Sequence, residues 1–389
     1  MAPLDGLRVL DLSRLMPGPF CTMILSDLGA DVVKVEQPEI GDYARSTPPF
    51  IGDTGAAFLM LNRNKRSITL NLKNAEAQEI LHKLAARTDV FIESHQPGVA
   101  ERLNVDYPVI RKVNERIIYC SISGYGQSGP YRDLVGHDLT YAAYSGIIGA
   151  TGLKGGPPVI PATQVSDIQG GMYAAIAIMA AVHQREKTGK GDFIDISLMD
   201  AAVASMIMPL GFYFAGSPTD RGVSLLSGGV PFYNVYETME HRFISIAALE
   251  PKFWTELCRT LKLEKYEDQQ LAAEETARRI HQDLAALFRQ KSRDEWLKIL
   301  NEHGIPCAPV YDASEVPSDP HVKSRKMLFE METETFGKLN QLATPIKMSQ
   351  NSLSVRSPPP KLGEHTLQIL QELGYSTSDV ERLKAEAAV

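Results

Sequence analysis

The sequence predicts an α/β protein with a second, smaller α+β domain, on three observations. Short runs rich in leucine and β-branched residues alternate with helix-length amphipathic stretches over the first 130 residues, the pattern of parallel βαβ units. Near residue 220 the texture changes to a strand pair followed by charged helices. The chain has 389 residues, which at roughly 150 residues per domain allows two or three domains.

The elements follow in order. Residues 7–12 are the first strand, and Pro17-Gly18-Pro19 breaks it. Residues 20–28 read as a helix closed by Gly29, since glycine accepts the left-handed conformation past a helix end. Residues 30–36 and 67–72 are the next strands. Residues 74–87 form an amphipathic helix with Ala77, Ile80, Leu81 and Leu84 on one face, and strands follow at 89–93 and 116–123. A helix bounded by glycines covers 137–152. The Ala-rich helix at 170–186 carries few charges and is expected to be buried on most sides. A turn at 187–192 leads to a strand at 193–197. Residues 232–237 and 242–248 pair as strands about Glu240-His241. Helices come next at 251–263, 276–290 and 292–303, and two prolines hold 305–310 extended. The Ser- and Pro-rich stretch 351–363 reads as a surface linker, and helices at 365–373 and 378–387 end the chain.

Composition excludes several classes. The apolar fraction is 44% and the charged fraction 22%, ordinary for a soluble globular protein. A net charge of −7 argues against nucleic acid as a partner, which calls for a basic patch, and against anionic membrane surfaces. The residues from Met1 to Arg8 lack a signal-peptide core. The longest apolar stretch, 171–182, falls short of the roughly 18 residues needed to span a bilayer, and Ala387-Ala388-Val389 is not a peroxisomal address. The expected location is cytoplasmic. Cys21, Cys120, Cys258 and Cys307 lie far apart with no CxxC, and read as reduced thiols. The histidines show no metal-ligand spacing, so no metal is expected, and neither a P-loop nor a GxSxG elbow is present.

Four motifs could carry chemistry. Gly124-Tyr125-Gly126-Gln127-Ser128-Gly129 fits G-x-G-x-x-G, but Pro130 follows at once, so it reads as a tight loop rather than a dinucleotide site. Gly136-His137-Asp138 puts a histidine at a helix start, where free N–H groups keep it neutral and able to act as a base. Asp167, ahead of the Ala-rich helix, reads either as its N-cap or as an acid, base or nucleophile facing a pocket, with Gly170 and Gly171 letting a ligand approach the backbone. Glu250, between a strand and a helix, reads as a surface cap or as the group that orients a catalytic histidine.

Together these pieces resemble the class III CoA-transferase (CaiB/BaiF) family. The resemblance rests on Leu4-Asp5-Gly6-Leu7-Arg8-Val9-Leu10-Asp11, Pro17-Gly18-Pro19, Asp27 to Glu36, Asn62 to Ser67, Leu70-Asn71-Leu72-Lys73, Gln96-Pro97-Gly98-Val99, Gly124 to Pro130 and Thr188-Gly189-Lys190-Gly191, in order over nearly the whole chain. It implies an interlocked homodimer with a Rossmann-like large domain built from both chain ends. The expected layout is a large CoA-binding domain at 1–205, a linker at 206–224, the small α+β domain at 225–330, and a return linker with C-terminal helices at 331–389.

The family holds two chemistries. One branch moves CoA between carboxylic acids through an aspartate; the other, the α-methylacyl-CoA racemases, inverts the carbon beside a thioester. Asp167 matches the essential aspartate of both. His137, 30 positions earlier in a Gly-His-Asp motif, and Glu250 match the racemase branch, as does the loop Ser227 to Tyr233. The resemblance therefore implies racemisation of 2-methylacyl-CoA thioesters. His137 and Asp167 exchange the α-proton from opposite faces, Asp138 adds to the network, and Glu250 acts in the partner's site. Backbone N–H groups near a helix start meet the enolate. CoA transfer through an Asp167 anhydride is the alternative.

By position, CoA contacts fall on Leu70, Asn71, Leu72, Lys73, Ser94, His95, Gln96, Arg102, Gly136, Leu139, Thr140 and Tyr141. Gln37 and Gln96 stand where racemases often carry arginines, and Lys65 or Arg66 is expected to compensate. The resemblance implies no metal and no cofactor beyond the CoA of an acyl-CoA substrate.

Overall fold

The computed structural model describes residues 2–351 and 353–389; Met1, and Ser352 of the linker read at 351–363, lie outside the described residues. Contacts divide the chain into two compact units: Met1–Ser145, Ala162–Ser205 and Lys326–Val389 in one, Gly146–Pro161 and Met206–Arg325 in the other.

The larger unit is built on a six-stranded sheet, all parallel: β1 (Arg8–Asp11), β2 (Asp31–Glu36), β3 (Lys65–Thr69), β4 (Val90–Glu93), β5 (Ile118–Ser123) and β6 (Asp192–Ser197). Their spatial order is β3-β2-β1-β4-β5-β6, that of the doubly wound dinucleotide-binding folds. Successive side chains alternate between faces, and both faces are covered. Leu10, Val33, Val35, Phe91 and Tyr119 pack on one side with Ile80 and Leu81 of the helix Ala75–Ala85. The C-terminal helices Thr366–Glu372 and Thr377–Ala385 add Ile369, Leu370, Val380 and Leu383 to that side, so both chain ends share one core. Val9, Val32, Val90, Ile92, Ile118 and Cys120 face the other side. There they meet α1 (Pro17–Asp27) and a 24-residue helix, α2 (Val165–Thr188).

Several elements differ from the sequence reading. Pro17 opens α1 instead of preceding it, because a first-turn proline loses no helical hydrogen bond. The Ala-rich α2 is buried along one face only. Ala174, Ala175 and Ile178 are inside, while Tyr173 and Ile176 are exposed. By length and apolar composition α2 could cross a membrane, but its buried face packs into the core of this unit. Gly170 and Gly171 serve that packing. A Cβ on Gly170 would lie 2.3 Å from Leu198 Cδ2, and one on Gly171 would lie 2.6 Å from the Pro17 carbonyl oxygen. The helix expected at 137–152 is two, Asp138–Tyr144 and Ile147–Ala150, parted at Gly146, whose φ of +91° is left-handed. The hairpin Leu328–Thr333/Gly337–Leu342 went unread.

The smaller unit holds a three-stranded antiparallel sheet of Tyr233–Glu237, Phe243–Ala247 and Cys307–Val310. Ile244 and Ile246 pack there against Trp254, Leu257, Leu284 and Trp296 of the helices Pro251–Thr260, Glu274–Phe288 and Arg293–Glu302. Ser292 caps the last of these, donating to and accepting from Glu295. Residues 206–224, read as a linker, fall in this unit and contain the helix Ile207–Phe214. Residues 326–330 fall in the larger one. All four cysteines are free.

Candidate active site

The strand order of the large sheet reverses between β1 and β4, and open α/β sheets bind ligands beyond the carboxyl ends of strands at such a point. The chain leaving β1 supplies Ser13 and Arg14; the chain leaving β4 supplies Ser94, His95 and Gln96. Two cavities open there. One, of about 240 Å³, is lined by Leu70, Asn71, Leu72, Lys73 and Gln37, with Arg14 and His95. The other, of about 430 Å³, is lined by Ser94, Gln96, Gly136, His137, Tyr141 and Asp167, again with Arg14 and His95. The two therefore share a wall.

His137 is the N-cap of α3 (Asp138–Tyr144). Its backbone N–H donates to Thr140 Oγ1 (3.1 Å), and the Thr140 N–H donates back to its carbonyl (2.8 Å). Gly136 precedes it because a Cβ there would stand 2.4 Å from Thr140 Oγ1.

Asp167 is not the cap of α2. Gln164 occupies that position, and Asp167 lies in the first turn. The capping comes from α3, where Asp138 Oδ1 accepts the N–H groups of Ser166 (2.7 Å) and Asp167 (3.2 Å). Asp138 thus ties the helix after His137 to the helix bearing Asp167. Those two N–H groups are thereby spent, so they cannot meet a developing oxyanion, as the sequence reading expected of a helix start.

Burial, and next the neighbouring Asp138 charge, push Asp167 up to about 7. Its carboxylate receives no hydrogen bond from the described residues. Burial first, then the Asp167 charge, raises the Tyr141 phenol well above its ordinary range, so it remains an O–H donor in the same cavity. Replacing Asp138 by Asn keeps an oxygen for the α2 N–H groups but removes the charge. Asp167 then ionises at lower pH, and an acidic limb of kcat/KM set by its ionisation moves down with it. Each unit of displacement is worth about tenfold in the ionised fraction on that limb. A pH profile identical to wild type would refute the coupling.

Some expected residues lie elsewhere. Leu139 is exposed, Thr140 serves the α3 cap, and Arg102 is exposed at the end of a one-turn helix. Neither basic residue expected to compensate for Gln37 is free. Lys65 is buried on Pro19 O (3.0 Å) and Asn62 Oδ1 (2.8 Å), and Arg66 pairs with Asp31 and Glu372. Glu250 belongs to the smaller unit, as the exposed N-cap of Pro251–Thr260. The sequence reading missed Arg14, Tyr43, Tyr125 and Arg132, all in the wall of the larger cavity; position just after β1 was the signal for Arg14. Among the described residues, no group of three or more His, Cys, Asp and Glu could hold a metal ion.

The site thus puts an aspartate of raised pKa and a histidine in one cavity at the switch point of an α/β sheet. The chain belongs to CoA-transferase family III, whose profile matches residues 4–366. It is 36% identical to the mouse (Mus musculus) succinyl-CoA:glutarate CoA-transferase, covering 100% of this chain and 91% of that protein. It is 31% identical to the human (Homo sapiens) alpha-methylacyl-CoA racemase, covering 99% and 97%. A crystal structure of a CaiB/BaiF family protein from Brucella suis superposes with a TM-score of 0.84 at 32% identity, over 96% of this chain and 99% of that one. The protein is thus an enzyme of the superfamily that holds both the transferases and the racemases.

Proposed function

We propose that the protein moves CoA between carboxylic acids, with Asp167 as the nucleophile. The observation that carries this is the Asp167 carboxylate, set in a cavity, with no hydrogen bond from the described residues, and ionising near neutrality. The greater likeness to a succinyl-CoA:glutarate CoA-transferase than to a racemase supports it. This reading departs from the racemase expectation of the motifs alone.

An Asp167 oxygen attacks the thioester carbonyl, the C–S bond breaks, and CoA thiolate leaves a mixed anhydride. The thiolate attacks the aspartyl carbonyl, releasing the first acid and leaving an aspartyl-CoA thioester. The carboxylate of the second acid attacks that thioester, and CoA thiolate departs again. The thiolate then attacks the new acyl carbonyl, giving the new acyl-CoA and free Asp167. Arg14 and Arg132 are the cations in the cavity wall; Arg132 is paired with Asp133 (2.6 Å), which leaves Arg14 to meet an incoming carboxylate. The reading includes a cytoplasmic homodimer and no cofactor beyond the substrate's CoA.

Racemisation is the second reading, favoured by His137 and Asp167 lining the same cavity; it assigns Glu250 to orienting His137. Succinyl-CoA with glutarate, followed by mass spectrometry, tests the first. A 2-methylacyl-CoA in heavy water, with no second acid, tests the other. Glutaryl-CoA formation without α-deuterium uptake supports transfer. Deuterium uptake with loss of optical purity, and no transfer to any acid, would replace it with racemisation.

A further inference from the structure

Arg14 stands just past β1, and its backbone N–H donates to Ser94 Oγ (3.2 Å), which ties it to the chain leaving β4. Its half-buried guanidinium lies over the face of the Tyr43 ring, 4.7 Å from the centroid. Among the described residues no carboxylate pairs with that guanidinium and no oxygen accepts from it. Arg14 lines both cavities, but Tyr43, on which its head rests, lines only the larger one, with Asp167. The charge therefore stands on the Asp167 side. Neighbouring His95 adds no second charge there. Both of its ring nitrogens are buried without partners, and burial, with the Arg14 charge adding to it, pushes it down to about 4. Leu15, Pro97, Ile122 and Leu134 supply apolar surface to the same cavity. An unpaired guanidinium in such a wall attracts a carboxylate more strongly than one in open water, and its planar fork matches the two oxygens.

On the CoA-transfer reading, on which this inference rests, each acid brings one carboxyl to the reaction. In the acyl-CoA that carboxyl is a neutral thioester, with no charge for Arg14 to hold. In the second acid it must attack the aspartyl-CoA thioester, and an ion pair with a guanidinium would draw off the electron density that the attack needs. The partner that suits Arg14 in both half-reactions is a second carboxylate at the far end of the acid. The two acids occupy the same place in turn, so one cation serves both. We propose that Arg14 is a specificity residue that holds the non-reacting carboxylate, and that the substrates are dicarboxylic acids and their mono-CoA thioesters.

The test is a competition assay on the full chain. Succinyl-CoA or butyryl-CoA is the donor, glutarate and pentanoate are present together at equal concentration, and mass spectrometry counts the two new CoA esters. Their ratio is the ratio of the two kcat/KM values. Wild type is expected to favour succinyl-CoA over butyryl-CoA and glutarate over pentanoate, each by about ten- to a hundredfold, the scale of hydrogen bonds to a charged partner. Arg14→Gln removes the charge. Its product ratio is expected to fall to near one, with CoA bound as in wild type by calorimetry and no loss in melting temperature. Arg14→Lys, a point charge without the fork, is expected to keep part of the preference. Where Arg14→Gln transfers to neither acid, the ratio in Arg14→Lys decides, and a wild-type ratio there counts against the proposal. Wild type that uses both classes of acid equally, or an Arg14→Gln ratio equal to that of wild type, overturns the proposal while leaving CoA transfer intact. Weaker CoA binding alongside that unchanged ratio would make Arg14 a contact of CoA itself. Wild type that transfers CoA to no acid overturns the transfer reading, and this proposal with it.

Discussion

Asp167→Ala is expected to lower CoA transfer by at least about a thousandfold, the scale seen when a covalent nucleophile is deleted. The fold should survive, because the cap of α2 is made by Asp138 and not by the Asp167 side chain. Hydroxylamine added to wild type with acyl-CoA should leave a hydroxamate on Asp167, visible by peptide mass spectrometry and missing from the variant. A fully active variant, or a hydroxamate on another residue, would remove Asp167 from the mechanism. The same carboxyl has a stability signature. It ionises near 3.8 in the unfolded chain and near 7 in the fold, so the unfolded chain loses its proton first. Stability therefore falls as pH rises through that window, by about 1.4 kcal/mol per unit of displacement at most. Asp167→Asn removes this cost. It should be more stable than wild type at pH 8 and no different below pH 4, as urea titrations at the two pH values would read.

The sheet was legible because buried parallel strands announce themselves: residues 30–36 and 89–93 are near-continuous apolar or β-branched runs ended by turns. Two strands of the small antiparallel sheet were legible too, down to their turn at His241, where φ is +57°; the pairing of Cys307–Val310 as the third was not. The hairpin Leu328–Thr333/Gly337–Leu342 was not. Its strands are largely exposed, a glutamine (Gln341) takes one of the second strand's two buried positions, and the turn lacks an Asn-Gly or Asp-Gly pair. For α2, an Ala-rich composition suggested burial all round, but composition does not say which face meets a partner element. At the site, an aspartate at a helix start is by itself ordinary; Gly136-His137-Asp138 and Asp167 were readable as chemistry through their 30-residue spacing within the family pattern. That Asp138 caps the Asp167 helix was not readable, since a cap 28 residues away in sequence leaves no local pattern. The burial of His95, with no partner for its ring, likewise depends on two loops meeting at the switch point.

Asp11→Ala is expected to destabilise the protein by about 3–5 kcal/mol, the cost of leaving buried charges without their partner. Asp11 ends β1, directly before the loop that forms the cavity wall, and is fully buried together with Lys34. Its carboxylate accepts the Ser13 N–H (2.9 Å) and the Thr22 hydroxyl (2.6 Å), and lies 3.5 Å from Lys65 Nζ. Burial pushes Asp11 up, but Lys34 and Lys65 together with the two hydroxyls hold it below its ordinary value. Burial, helped by Lys34, pushes Lys65 down to about 8 against the pull of Asp11. Lys34 is better protected, since Asp42 Oδ2 lies 2.9 Å from its ammonium. Without Asp11, Lys65 gives up its proton at a lower pH still. Its unfolded value is 10.5, so the fold gains stability wherever it has shed a proton that the unfolded chain keeps. The variant enters that regime below pH 8 and wild type only above it. The stability gap should therefore be widest near pH 6 and narrower at pH 9. Adding Lys65→Met to Asp11→Ala should recover part of the loss at pH 6, because an apolar side chain of similar length carries no charge to desolvate. A gap equal at both pH values, or a double variant no more stable than the single one, would show that Asp11 supports the fold through its hydroxyl and N–H partners and not through Lys65.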